Sequence, residues 1–340
     1  MHVDNTLIKH EVLLIAPLFF DYYKEIIKEL ENLNYQVTYI CDAPSNSNIS
    51  KAIGRINKNL LKYSTEKYYS EKVLPVIQNK RYEICILVAG MTFAFTPEMI
   101  DEIRKMNPRA RFVMYQWDSE KNLPYSTKIH RFFDAVYSFD LNDCARCAFY
   151  KFLPLFYTRM YEKIGQEECT EYMYDCLYVG TAHPKKYYEI NQMAQALKIV
   201  MPRQFIYHYM PSRLKYIYHK VFAAEYKNAK YSEFNANKLS LHEMEKLIRQ
   251  TKCMIDAPQA GQTGLTIRTM ECLGAKRKLI TTNAEIKKYD FYNEANIYVF
   301  EENKPIDLNT AFFTEPYKRL DSAVYEKYTL RSWIQTLLQE

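Results

Sequence analysis

One stretch gathers residues whose types and spacing suit the holding of an anion: Asp256, Gly261, Thr263, Gly264, Arg268 and Glu271. Cys253-Met-Ile-Asp256 is a short apolar run that stops at a carboxylate. Gly261 and Gly264 let the backbone come close to a ligand, because glycine lacks Cβ and accepts positive φ. Thr263 is the expected N-cap of a helix over roughly 264–275, whose unpaired N–H groups and positive dipole end suit an anion. On that helix Ile267, Met270 and Leu273 fall on the core side, while Arg268 and Glu271, three apart, should emerge together. The amides and Arg268 can then meet a diphosphate, and Glu271 can accept hydrogen bonds from both hydroxyls of a ribose. The same residues also read as an ordinary loop and helix with a surface ion pair, since short motifs match by chance.

The elements that must position this stretch alternate along the chain. Val12–Pro17 is a continuous apolar run, the pattern of a strand buried on both faces of a parallel sheet. Asp21 is expected to cap a helix to Asn32, followed by strands at Tyr35–Cys41, Ile84–Val88, Arg111–Tyr115, Ala135–Ser138 and Phe152–Leu155. A helix begins at Pro97. Residues 157–172 are polar and lack strand signals, which places a boundary there. A second series follows: strand Cys176–Val179, helix Lys185–Val200, strand Gln204–Tyr209 and a basic, tyrosine-rich helix opened by Pro211. Ser240 with Glu243 marks a capped helix, Lys278–Thr282 and Asn296–Phe300 continue as strands, and Ser322–Leu338 is a terminal helix. Strand–helix alternation predicts α/β architecture, two Rossmann-like domains facing a central cleft with ligand at the carboxyl ends of the strands. The expected divisions are 1–158, a linker at 159–172, 173–320, and a crossover helix at 321–340.

Composition narrows the class. At 340 residues the chain is comfortable for two domains, and 48% hydrophobic with 25% charged residues is ordinary for a globular protein. No apolar run approaches a membrane span and the first residues lack a secretion signal, so a cytoplasmic location is expected. Eight cysteines without a paired zinc pattern argue for reduced thiols, with Cys144 and Cys147 as helix thiols. Residues 51–81 hold eight basic against two acidic side chains, as much net charge as the whole chain's +6. With Tyr63, Tyr68 and Tyr69 this segment reads as a face for anionic lipid, or as a solvated helix face. No nucleic-acid motif is present, and a modest net charge does not supply one.

The run Asp256…Gln262-Thr-Gly-Leu-Thr-Ile-Arg-Thr-Met-Glu271…Lys278-Leu-Ile-Thr-Thr-Asn283 resembles the donor-binding segment of bacterial GT-B glycosyltransferases. The likeness is to those that build capsule, exopolysaccharide and lipopolysaccharide chains. Tyr328-Thr-Leu-Arg-Ser-Trp333 is similar to that family's ending, where the last helix crosses back to the first domain. The resemblance implies a nucleotide-sugar held by Glu271 at the ribose, with Arg268, Thr263, Gly264, Leu265 and Thr266 around it. Gly180, Thr181 and Lys185 then lie where the phosphates are expected, with Lys186 beside them, and Asp256 and Gln259 touch the sugar. His183 either contacts sugar or phosphate or is structural. This chain has one glutamate where many members have a paired Glu-x7-Glu, which inclines the mechanism to inversion. Asp118, at the end of Tyr115-Gln-Trp-Asp, is then the base that deprotonates an acceptor hydroxyl, or a cap of the next turn. Asp140 is a weaker rival and Asp143 a helix cap. Without Asp-x-Asp no metal or cofactor is required. The implied acceptor is a glycan, lipid-linked at the inner membrane face. The competing readings are a non-catalytic nucleotide-sugar binder and a nucleotide-sugar epimerase.

Overall fold

Apolar runs become strands where helices must cover both faces. Val12 to Ala16 are all at most 4% exposed, so the first run sits in the middle of a sheet as its composition demands. The computed structural model describes residues 10–18, 21–44, 62–90, 92–168, 171–258 and 263–339. The chain forms two units, Met1–Pro154 with Leu330–Glu340, and Leu155–Thr329.

Unit 1 holds β1 (His10–Ala16), β2 (Tyr35–Cys41), β3 (Ile84–Ala89), β4 (Arg111–Gln116), β5 (Ala135–Ser138) and β6 (Tyr150–Phe152). They form one parallel sheet in the order β2-β1-β3-β4-β5-β6. Unit 2 holds β7 (Tyr174–Thr181), β8 (Gln204–Tyr209), β9 (Phe234–Asn235), β10 (Thr251–Asp256), β11 (Lys278–Thr281) and β12 (Ile297–Val299). Its parallel order is β12-β11-β10-β7-β8-β9. The chain runs outward from β7 to β9, then returns to the other side of β7 with β10. That reversal is the Rossmann arrangement, and it opens a crevice at the carboxyl ends of β7 and β10.

Four details depart from the sequence reading. The strand expected at Phe152–Leu155 lies at Tyr150–Phe152, because Pro154 has no N–H to continue the ladder after Leu153 bonds Ser138 O at 3.0 Å. The supposed linker contains a helix, Arg159–Gln166, which buries Tyr161 and Ile164. The single terminal helix is two, Ser322–Lys327 and Leu330–Leu338. Between them Tyr328 O accepts from Tyr157 N at 2.9 Å and Thr329 pairs with Tyr157 in a parallel bridge, so the backbone turns extended there. Finally, Tyr69 is buried and its hydroxyl donates to Met99 O at 3.2 Å, while Tyr68 bonds Cys41 O at 3.1 Å. Of the three tyrosines read as a lipid face, only Tyr63, 78% exposed, points outward. Residues 51–61 of that basic segment lie outside the described residues.

The Leu330–Leu338 helix belongs to unit 1 and buries Leu330, Trp333, Ile334 and Leu337, an i, i+3, i+4, i+7 stripe. Among the described residues no helix is long and apolar enough to cross a membrane.

Candidate functional site

The crevice of unit 2 is built from two strand ends and two helix starts. β7 ends in Gly180 and Thr181, and its loop passes through His183 into the helix Pro184–Leu197. β10 ends at Asp256, and the chain then reaches the helix Ile267–Gly274. Thr266, not Thr263, caps that helix: its side chain accepts from Thr269 N at 3.3 Å. The helix therefore starts three residues later than expected. Asn283 holds the preceding loop instead, donating from Nδ2 to Thr263 O at 3.1 Å while its Oδ1 caps Glu285 N at 3.1 Å.

Asp256 joins these elements. The residue is 1% exposed; Oδ1 receives Lys186 Nζ at 2.8 Å, and Oδ2 receives the hydroxyls of Thr266 and, at 3.4 Å, Thr269. A buried carboxylate is tolerated only with such partners. Both of its oxygens are thus engaged by the frame of the crevice. Lys186 also stands 6.0 Å above the Tyr178 ring. Burial pushes the Tyr178 phenol well above its ordinary pKa, so it stays neutral. The hydroxyl has no hydrogen-bond partner among the described residues. It lies against Gly180, where an added Cβ would meet it at 2.4 Å.

Arg268 and Glu271 lie together but do not emerge. Their side chains are 19% and 5% exposed, with Nη1 to Oε2 at 2.5 Å, and Arg268 Nη2 donates to Val179 O at 3.3 Å near the end of β7. Glu271 is closed by Arg268 here, so the two do not form the surface ion pair that the spacing also allows. They are a buried pair linking the helix to β7. Leu265 is 2% exposed and packs inward. Gly264 is buried beside it. Lys185 is half exposed and pairs with Glu189 at 3.4 Å, whose other oxygen accepts from Thr282 at 3.1 Å. Gln259 and Gly261 lie outside the described residues. The structure brings together Gly180, Thr181, Asp256, Thr266, Arg268 and Glu271 at one edge of one sheet. The reading missed Tyr178 and Glu189, which no spacing signal distinguishes from core and surface positions.

In unit 1, Asp118 is half buried two residues beyond β4. The helix cap expected at Asp143 is Asp140. Asp140 caps the helix Leu141–Arg146, accepting from Asn142 N at 2.9 Å, and Asp143 accepts from Glu120 N at 2.7 Å. Burial holds the Asp143 carboxyl above its ordinary range. Nearby, Tyr150 Oη donates to Glu120 at 2.9 Å. Among the described residues no group of three or more His, Cys, Asp or Glu is gathered to hold a metal ion.

This architecture is found in solved structures. A glycosyltransferase from Rickettsia africae is 12% identical with TM-score 0.55, covering 97% of both chains. Anabaena Alr3699/HepE in complex with UDP-glucose is 9% identical with TM-score 0.55, covering 96% of this chain and 98% of that one. The same protein with UDP and glucose gives 9% and 0.53. No family profile matches the chain, and no curated protein matches it in sequence. At this identity the likeness establishes the fold: two Rossmann-like units of the GT-B class.

Proposed function

We propose that the chain is a GT-B glycosyltransferase, moving a sugar from a nucleotide-sugar to a glycan or lipid-linked glycan acceptor of a bacterial surface polysaccharide. The observation that carries this reading is the topological reversal in unit 2, where Gly180, Thr181 and the start of the Ile267–Gly274 helix share the crevice between β7 and β10. Crevices of this kind, at the carboxyl ends of the strands where the sheet order reverses, are where open α/β sheets take ligands. The solved Anabaena protein of the same fold holds UDP-glucose, which supports a nucleotide-sugar as donor.

In this reading the donor opens the Arg268–Glu271 pair. Its diphosphate takes the Arg268 guanidinium and the amides of residues 266–268, and the freed Glu271 accepts the ribose hydroxyls. Thr263, Gly264 and Leu265 offer backbone, and Gly180, Thr181, Lys185 and His183 line the phosphate side. Charge on the leaving diphosphate is met by Arg268 and helix amides, with no metal called for. Asp118 of unit 1 acts as base on the acceptor hydroxyl, giving inversion. The working place is the cytoplasm, at the inner face of the membrane.

Thermal shift with UDP-, GDP-, dTDP- and CMP-sugars tests the reading. One of them should raise Tm, and donor turnover should appear only with acceptor. Turnover without acceptor would indicate an epimerase, binding without turnover a partner protein, and no shift with any donor would remove the transferase. Glu271→Ala should weaken nucleotide binding by about 1–3 kcal/mol, and unchanged affinity removes the ribose contact. Asp118→Asn should abolish transfer at intact donor affinity; retained transfer discards the base.

A further inference from the structure

The helix Arg213–Phe222 of unit 2 is turned inside out. Leu214, Ile217, Tyr218, Val221 and Phe222 recur at the spacing that marks a buried stripe. They are 79%, 54%, 60%, 68% and 73% exposed, and no residue of this helix is buried. The opposite face does the anchoring. Tyr216 Oη donates to Ala229 O at 2.9 Å, Lys220 Nζ donates to Lys227 O and Ala229 O at 2.7 Å each, and His219 packs on the Tyr226 ring at 5.3 Å. Ser212 caps the start, accepting from Lys215 N at 3.2 Å. The helix is therefore fixed, with its apolar stripe toward solvent, and a contiguous patch of this kind marks a docking surface.

The surrounding charge selects the occupant. Residues 211–238 carry six basic side chains (Arg213, Lys215, Lys220, Lys227, Lys230, Lys238) against Glu225 and Glu233, a net +4 of the chain's +6. Arg213, Lys227, Lys230 and Lys238 are exposed, while Glu233 is engaged by the Tyr187 hydroxyl and by Lys230 N. A second copy would set this positive rim against its own. An anionic bilayer offers an acyl boundary to the stripe and negative headgroups to the rim.

We infer that the helix Arg213–Phe222 is an interfacial anchor that seats unit 2 on an anionic lipid surface. This contact is separate from the basic segment at residues 51–81. The helix follows β8, the neighbour of β7, so the anchor stands at the carboxyl edge of the sheet that also carries Gly180 and Asp256. The inference does not rest on the transferase reading, because vesicle binding is measured without turnover.

The test is co-sedimentation of the full chain with vesicles of phosphatidylcholine alone or mixed with phosphatidylglycerol. Binding is expected to the mixed vesicles only, to weaken as salt rises, and to fall about tenfold or more in I217S/V221S/F222S. The three side chains are exposed, so the variant should keep the wild-type melting curve, which confirms that it folds. A K62E/K67E/K72E variant should bind like wild type. The inference is overturned by any of three results. These are no binding to anionic vesicles, equal binding by the apolar triple variant, or a wild-type dimer that this variant dissociates, which would hand the face to a second copy.

Discussion

Asp256 shows what residue types and spacing do and do not convey. A carboxylate at the end of an apolar run is visible in the sequence as a candidate site residue; that its oxygens are committed to Lys186, Thr266 and Thr269 is not. Lys186 is 70 residues away in the chain, and only the sheet order makes them neighbours. Glu271 is the same case: its spacing from Arg268 was legible, but the closing of the pair depends on what covers it. His208 was not legible as a special position at all. It lies on β8, 2% exposed among Tyr178, Tyr187 and Phe234, with Nε2 on Asn191 Oδ1 at 3.3 Å. Burial lowers its pKa to about 4, so the fold holds it neutral. An unfolded histidine titrates near ~6.5. The native state therefore has its full stability above that pH and loses it as pH falls toward 4, by about 2 kcal/mol at ~pH 5. Denaturant unfolding of wild type and His208→Gln across this range should show a smaller acid loss in the variant; parallel curves would mean His208 is not the titrating group. The difference between proteins is the readout, since carboxylates protonate in both.

At the scale of elements, continuous apolar runs and caps were read well because they are local. β2, β5, β8 and the helix Pro97–Met106 fall where the pattern sets them, and Ser240 with Glu243 forms its reciprocal capping box. What escaped was set by packing between elements. The helix Arg159–Gln166 looked like polar linker because only Tyr161 and Ile164 face inward. It packs on the helix Ile267–Gly274 through two glycines. A Cβ on Gly165 would stand 2.3 Å from Gly274 O, and one on Gly274 would stand 2.5 Å from the Tyr157 ring. Tyr157 cannot swing away, being 1% exposed with its hydroxyl on Tyr325 O at 2.7 Å. Alanine normally gains about 1 kcal/mol over glycine in a helix. At Gly274 the overpacking, about 1–3 kcal/mol, should outweigh that gain. Gly274→Ala is therefore expected to lower Tm, and a raised Tm would show that the ring has room. Because this helix carries Arg268 and Glu271 and is capped by Thr266, the same variant should also weaken whatever the crevice binds.

For the whole chain, the two-unit plan was legible from alternation, and so was the likeness of the ending to a crossover. The completion of unit 1 was legible only in part. Its sheet draws five of its strands from the first 140 residues, yet one of its covering helices comes from residues 330–338, after all of unit 2. That helix is tied in by specific contacts. Trp333, 2% exposed, meets the Tyr115 ring edge-on at 4.8 Å. Arg111 Nη1 donates to Leu337 O at 2.8 Å, and Arg331 pairs with Glu29 at 3.2 Å. Tyr115 lies on β4, two strands from β1, so the helix protects the middle of the sheet rather than its rim. Removing the indole leaves a cavity against Tyr115 and costs about 3–5 kcal/mol. The loss should be confined to unit 1, because every contact just named lies within it. Hydrogen exchange on Trp333→Ala is expected to show faster exchange in β1, β3, β4 and the helix Tyr22–Asn32, with β7, β10 and β11 unchanged. Uniform acceleration in both sheets would mean that the units unfold as one body, and protection unchanged in β4 would mean that the terminal helix is a passenger on unit 1.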